Sequence, residues 1–255
     1  MNPSNSLASD AWSALSKNRA AWFSAIALTT MVLLVLLGPL VSPYEVDQTN
    51  WSKLAKPPSM QDGHIFGTDD LGRDLFVRTM YGGRISLMVG IVATLVSVLI
   101  GVSYGAISGF VGGKVDSIMM RIVDVLYAMP FLFFVILLMV FFGRSIFLIF
   151  VAIGAVNWLD IARIVRGQTL TIKGKEFVDA AKAGGVSTFR IIFRHIVPNL
   201  MGIVVVYVAL TVPQVILVES FLSFLGLGVQ EPMTSWGALV NQGARQMESS
   251  PWILL

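Results

Sequence analysis

An all-α, polytopic membrane helix bundle is the fold this sequence predicts, with five complete spans and the start of a sixth. Composition predicts it first: of 255 residues, 55% are hydrophobic and only 13% charged, and the mean hydropathy of +0.77 lies outside the range of soluble domains. Uncharged runs of about 18 residues or more then recur along the chain, each long enough to cross a bilayer as a helix. Finally, there is no cysteine and there are two histidines, which removes disulfide scaffolds, cysteine metal sites and thiol catalysis and leaves helix packing to hold the fold. The formal net charge of +3 is too small to point to nucleic acid, so the basic residues inform topology instead.

Residues 1–21 form a first polar segment, and 22–43 the first span, containing "AAWFSAIALTTMVLLVLLGPLV". Its apolar core is longer than a signal-peptide core and no small-residue cleavage site follows it, so it reads as an uncleaved anchor. Residues 44–84 are a polar loop rich in Pro, Asp and Gly. The remainder, 85–255, is the helical core. Its second span lies between Arg84 and Lys114 and its third between Asp124 and Arg144, with Pro130 near the start. A fourth, shorter run, "SIFLIFVAIGAVNWL", lengthens past Asp160 if that carboxylate faces protein. The fifth, "HIVPNLMGIVVVYVALTVPQVILV", precedes Glu219 and is followed by a re-entrant or interfacial mixture of aromatics and glycines. The final "SPWILL" reads as the opening of a sixth span, with Pro251 suited to a first helical turn and Trp252 to the interfacial belt. On that reading the natural chain is expected to continue past Leu255 by on the order of 40 residues, a span plus a tail.

With the N-terminus inside, eleven Lys and Arg fall on inner segments and seven, Arg144 among them, on outer ones. The block from Arg163 to Arg194 carries most of the bias and places the 163–197 loop in the cytoplasm.

That loop contains "EFVDAAKAGGVSTFRIIFRHIVPN". Glu176 to Ala183 has acidic residues in its first turn and alanines of high helix propensity, and Gly184 and Gly185 supply a stop. Ser187 is a candidate N-cap for a second helix running toward Pro198. Val186 and Phe189 put apolar side chains at the exposed turn. Two readings stay open on these residues: a docking knob for another protein, or an amphipathic linker lying on the bilayer with its basic residues snorkelling.

The same stretch resembles the cytoplasmic signature of bacterial ABC importer permeases: Glu-Ala-Ala, three residues, Gly, nine residues, Ile-x-Leu-Pro. Here it reads Asp179, Ala180, Ala181, then Gly185, then His195-Ile196-Val197-Pro198, with the spacing kept and Asp, His and Val as departures. Three further stretches, "FGTDDLGRDLFVRTMYGGRISLMVG" at 66–90, "WLDIARIVRGQTL" at 158–170 and "ESFLSFLGLG" at 219–228, are similar to the C-type permease subunit of dipeptide and oligopeptide importers. The resemblance implies an inner-membrane subunit that pairs with a homologous permease, lies above two cytoplasmic ATPase subunits and accepts peptide from an extracytoplasmic binding protein. It also implies a sixth helix and a cytoplasmic tail. ATP and Mg would be used by the partner ATPases, with no cofactor bound by this chain. Asp179, Ala180, Ala181, Gly184, Gly185 and Pro198 would shape the ATPase-coupling segment, Val186 and Phe189 would fill a groove on the ATPase, and Lys182 and Arg190 would be rim charges.

No nucleotide site is visible: in "SGFVGGKV" Ser108 stands where a P-loop needs Gly and Val115 where it needs Ser or Thr. Gly101, Gly105, Gly109, Gly112 and Gly113 include small residues at four-residue spacing, which points to close helix packing in lipid. In "GTDDLGRD", Thr68 reads as the N-cap of a short interfacial helix with Asp69 and Asp70 in its first turn. A metal site from His64, Asp69, Asp70 and Asp74 is disfavoured, since hard-ion loops space their oxygens more regularly. The resemblance instead suggests that Thr68, Asp69, Asp70, Gly72, Arg73 and Asp74 gate the outer mouth or meet the binding protein. Asp124, Asp160 and Glu219 lie near span ends, and Asp160 pairs with Arg163 at i, i+3. Read as a proton relay, these acids describe an ion-coupled secondary carrier, the main rival, and a third possibility is an importer for a related cargo such as a metal chelate. A membrane enzyme has least in its favour, since His64 and His195 fall on opposite sides.

Overall fold

The computed structural model describes residues 16–143 and 145–254; Arg144, Leu255 and most of the N-terminal polar segment lie outside them. The described chain is helical, and its extended pairing amounts to two isolated bridges, Ser59 with His64 and Thr68 with Asp74. Among the described residues three helices are long and apolar enough to cross a membrane, α1 (Arg19–Val41), α2 (Leu75–Val111) and the continuous helix Thr188–Phe224, or four if the bent pair Gly113–Ala128 and Phe131–Phe142 is one span, where the sequence predicts five complete spans.

Helix α1 opens on Asn18, whose side chain accepts from the N–H groups of Ala20 and Ala21. Near its far end Pro39 has no N–H for the carbonyl of Val35 four residues back. Arg84 of α2 supplies the missing donor, its Nε lying 3.0 Å from Val35 O and its Nη2 bonding Leu36 O. An arginine is therefore tolerated inside a helix next to lipid because it satisfies backbone that a proline has freed.

The expected loop 44–84 ends ten residues early. Asp74 accepts from Val77 N at 2.9 Å and caps α2 there, so Arg78 and Arg84 stand within the helix. Charge marks the end of a span only when nothing nearby answers it: Arg84 has backbone acceptors, and Arg78 has the Asp69 carboxylate 3.4 Å from its Nε.

The third span is broken rather than straight. Helices α3 (Gly113–Ala128) and α4 (Phe131–Phe142) meet at Met129 and Pro130 with a bend of 85°, the restriction that proline places on the residue before it. Helix α5 (Ile146–Lys173) does run past Asp160, and the first third of the expected 163–197 loop is its last three turns. Asp160 itself is exposed on this chain.

Helices α2 and α5 run parallel and touch along Gly101, Gly105 and Gly109, as the glycine spacing predicts. A Cβ on Gly105 would lie 2.4 Å from Ala162 O and 2.9 Å from Arg166 N, and one on Gly101 2.8 Å from Trp158 O. These contacts are backbone, which cannot rotate away. Against this pair packs α8 (Val197–Phe224), antiparallel to α2. Pro198 does not end the preceding helix: α7 (Thr188–Ile191) passes through a π-helical turn, Ile192–Ile196, straight into α8. The wide turn shifts bonding by one residue, with Val197 N reaching Ile192 O, and accommodates the proline in an unbroken rod of about 55 Å at 1.5 Å per residue. Glu219, expected just beyond the fifth span, is inside it. The chain closes with α9 (Trp236–Arg245) and a 3₁₀ turn at Pro251–Ile253 on the end of the bundle that also holds the 44–74 loop.

Replacing Gly105 with Val forces α2 and α5 apart, and overpacking against backbone is expected to cost about 3 kcal/mol. Thermal unfolding of the detergent-purified protein measures it, with Gly167→Val, whose Cβ meets nothing within 4 Å, as the control.

Candidate functional site

The two ends of the bundle carry different polar structures. At the end where α5 leaves the bundle, α6 (Glu176–Ala183) forms over the residues the sequence predicts. It ends in a Schellman turn: Val186 N bonds Ala181 O at 3.1 Å and Gly185 N bonds Lys182 O at 3.0 Å. Gly185 has φ +72°, and a Cβ there would meet no atom of this chain. The constraint on it within the chain is conformational rather than steric. Ser187 stands at the N-cap of α7, but its side chain makes no capping hydrogen bond.

One face of this helix-turn-helix is anchored. Val178, Ile191, Ile192 and Ile196 are buried against Val102, Ala106 and Phe110 of α2 and Val165 and Ile172 of α5, and Ala181 and Val186 join the same cluster. The other face is free: Phe189 is 71% exposed, with its ring 4.6 Å from that of Phe193. Val186, expected as part of the exposed plug, is half-buried and serves the anchor. Lys182 is held by Asp179 at 2.9 Å, and Arg190 is exposed. Beside this element Arg166 holds Asp116 with two bonds of 2.6 Å, and Ser108 donates to the same carboxylate, tying α2, α3 and α5 together. In the sequence alone Arg166 stands out only as a topological charge. The predicted Asp160–Arg163 pair does not form: Arg163 reaches Asp124 at 2.8 Å and lies over the Tyr127 ring.

At the opposite end, 66–74 is a compact loop and not a capped helix. Thr68 is fully buried, donates to Lys53 O and accepts from Lys56 N at 2.9 Å, so its hydroxyl stitches loop to loop. The capping role belongs to Asp74, whose second oxygen meets His64 Nδ1 at 2.8 Å. Asp69, fully enclosed, accepts from the N–H groups of Leu71 and Arg73 and from Arg73 Nε at 2.7 Å. Arg73 then spans to Glu231 at 3.0 Å, and Asp70 accepts from Gln242 on α9. Burial alone would lower the Arg73 pKa, but Asp69 and Glu231 outweigh it and hold the guanidinium above its ordinary value. Gly72, at φ +72°, lets the backbone turn within reach of Asn50, whose carbonyl oxygen would lie 2.0 Å from any Cβ. Of the four groups weighed for a metal, His64 and Asp74 face each other, Asp69 faces Arg73, and Asp70 faces Gln242.

Glu219, buried within α8, links this end to the rod. Its oxygens accept from Ser86 on α2 at 3.0 Å and from Ser223 at 2.6 Å, while Trp236 N of α9 reaches Ser86 Oγ at 3.2 Å. The sequence offers Glu219 as an acid near a span end. Ser223 lies at i+4 on the same helix, a local pair, but Ser86 lies 133 residues away, a juxtaposition that no local pattern encodes.

The described residues form a helical membrane bundle with an exposed helix-turn-helix at one end and a charge-locked loop at the other, and comparison with known proteins assigns it to a class of transport components. The chain belongs to the binding-protein-dependent transport system inner membrane component family, whose model matches residues 101–255, more than half of it. Residues 6–58 match the N-terminal TM domain of oligopeptide transport permease C. The chain is 60% identical over 250 residues to the oligopeptide transport system permease protein OppC of Escherichia coli (strain K12), covering 98% of this chain and 83% of that protein. It is 49% identical over 250 residues to the dipeptide transport system permease protein DppC of Bacillus subtilis (strain 168), covering 98% and 78%.

Arg73 makes two ion pairs of unequal worth. Arg73→Ala strands the enclosed Asp69 carboxylate and is expected to cost about 3 kcal/mol. Glu231→Ala removes a carboxylate that is 66% exposed and should cost under about 1 kcal/mol. Denaturant unfolding of the two variants in one detergent checks the ratio.

Proposed function

We propose that this chain is the permease subunit of an ATP-driven importer of short peptides, forming half of the path with a homologous permease. Two cytoplasmic ATPase subunits, which bind and hydrolyse ATP with Mg, would dock on the α6–α7 element, and an extracytoplasmic binding protein would deliver cargo at the 44–74 end. In this reading the chain lies in the bacterial inner membrane with its N-terminus in the cytoplasm. The cargo class follows that of the similar oligopeptide and dipeptide permeases, and the orientation follows the Lys and Arg bias.

The observation that carries the reading is the exposed Phe189 on an element whose other face is welded to the bundle. An apolar ring that size, held rigidly and next to the small residues Ala180, Gly184 and Gly185, suits a partner's groove, with Asp179, Lys182 and Arg190 around it. Because α7 continues into α8 without a break, a push on Phe189 would be delivered along the rod to Glu219 and the 225–246 segment. Val186 and Pro198 contribute through the anchor and the rod. Of the residues expected at the outer gate or at the surface that meets the binding protein, Asp70 is exposed and would make such a contact, while Thr68, Asp69, Gly72, Arg73 and Asp74 are buried and would brace it through the charge network that links them to α9. Rigid rocking of packed helices is the form of alternating access this implies. The ion-coupled carrier finds no support, as Asp124 is paired with Arg163 and Glu219 is enclosed by serines.

Phe189→Asp is expected to leave membrane insertion intact while abolishing peptide uptake in the reconstituted transporter and detaching ATP hydrolysis from the binding protein's stimulation. Unchanged uptake and unchanged stimulated hydrolysis would refute the coupling role. The absence of native cysteine allows a direct check of orientation: Asp62→Cys should react with a membrane-impermeant maleimide in intact spheroplasts, and Lys182→Cys only after permeabilisation.

A further inference from the structure

A cavity of about 430 Å³ opens beside the charge-locked loop, walled by the 70–78 stretch, the turn after α8, and α9. Its size is that of a small-ligand site. Two of its wall side chains are enclosed yet carry polar atoms without a hydrogen-bond partner among the described residues. They are Arg78, 2% exposed, at Nε and Nη1, and Thr234, 1% exposed, at Oγ1. The carboxylates close to Arg78 offset its charge but give these two nitrogens no hydrogen bond. Asp69 lies 3.4 Å from Nε but is engaged by Arg73 at 2.7 Å, and Glu231 stands 3.9 Å from Nη2 and is likewise held by Arg73. A buried donor left without a hydrogen bond is costly, so an acceptor brought to these atoms recovers free energy.

The charge around the cavity narrows what that acceptor is. Arg73, Arg78 and Arg245 stand against Asp69, Asp70 and Glu231, so the site is close to neutral and lacks acceptors rather than negative charge. A phosphate would add about two charges that nothing there balances. A carboxylate adds one, and if it belongs to a zwitterion the balance is kept, with Asp70 and Glu231, both on the exposed side, facing the ammonium group.

We propose that this cavity binds the carboxylate end of a short zwitterionic peptide, with Arg78 and Thr234 as its donors. The proposal rests on the peptide-importer reading for its cargo; the carboxylate chemistry stands on the cavity alone. The same chemistry is also available from an acidic side chain of the extracytoplasmic partner.

The test uses the complete transporter in lipid nanodiscs without the binding protein, and equilibrium dialysis of radiolabelled trialanine and trialanine amide. The acid is expected to bind at least about tenfold more tightly than the amide, the weight of one hydrogen bond to a charged group. Thr234→Val keeps the shape and removes the unpartnered hydroxyl. It should weaken acid binding about tenfold while leaving amide binding and the unfolding temperature unchanged, and Arg78→Gln should weaken acid binding further. If neither peptide binds but Thr234→Val lowers the affinity of the nanodisc transporter for the binding protein, the site stands and the carboxylate is the partner's. Equal binding of acid and amide, with the binding protein's affinity indifferent to Thr234→Val, overturns the proposal. A failure of the peptide reading is visible separately, as absence of peptide uptake by the unaltered transporter.

Discussion

The bundle depends on how closely α2 and α5 approach one another. Lipid tails are as apolar as leucine, so helices gain little from hiding side chains from them, and association rests on van der Waals contact between backbones. Gly101, Gly105 and Gly109 remove the atoms that would otherwise keep the helices apart. Everything that follows is laid on that pair: α8 against α2, α3 against both through Asp116 and Arg166, and the α6–α7 element over their shared end.

Polar groups in this molecule mend what the helices leave open, and each is tied to a specific defect. Arg84 answers carbonyls exposed by Pro39. Asp74 answers the first N–H groups of α2, and Thr68 fastens two strands of loop that have no sheet to join. Glu219 answers two serines on different helices, and one of them, Ser86, accepts from Trp236 N and so holds the start of α9 on the bundle. Such groups are costly in lipid unless satisfied, and once satisfied they select one arrangement among many that apolar packing would allow.

The two ends are mechanically continuous because of a local irregularity. A proline inside a helix ordinarily breaks or kinks it. Here the π-helical turn at Ile192–Ile196 takes up the disturbance before Pro198, and the rod from Thr188 to Phe224 stays whole. A rigid element with an exposed aromatic at one end and a buried hydrogen-bonded acid toward the other is suited to carry a displacement across the bundle, since packed interfaces shift between discrete arrangements instead of deforming.

The sequence by itself determined the class of fold, the positions of the apolar helices to within a turn or two at several boundaries, the α6 helix with its glycine stop, and the close seam at Gly101, Gly105 and Gly109. These are local matters of composition, propensity and period, which a window of a few turns contains. Only the tertiary structure decided where charge is tolerated. Arg78 and Arg84 stand inside a helix instead of ending a loop, Arg163 chooses Asp124 over its i−3 neighbour Asp160, Asp74 takes the capping role expected of Thr68, and Glu219 is interior. In each case the deciding partner is far away in sequence or placed by packing, and the free energy of a charge depends on that partner far more than on its neighbours along the chain.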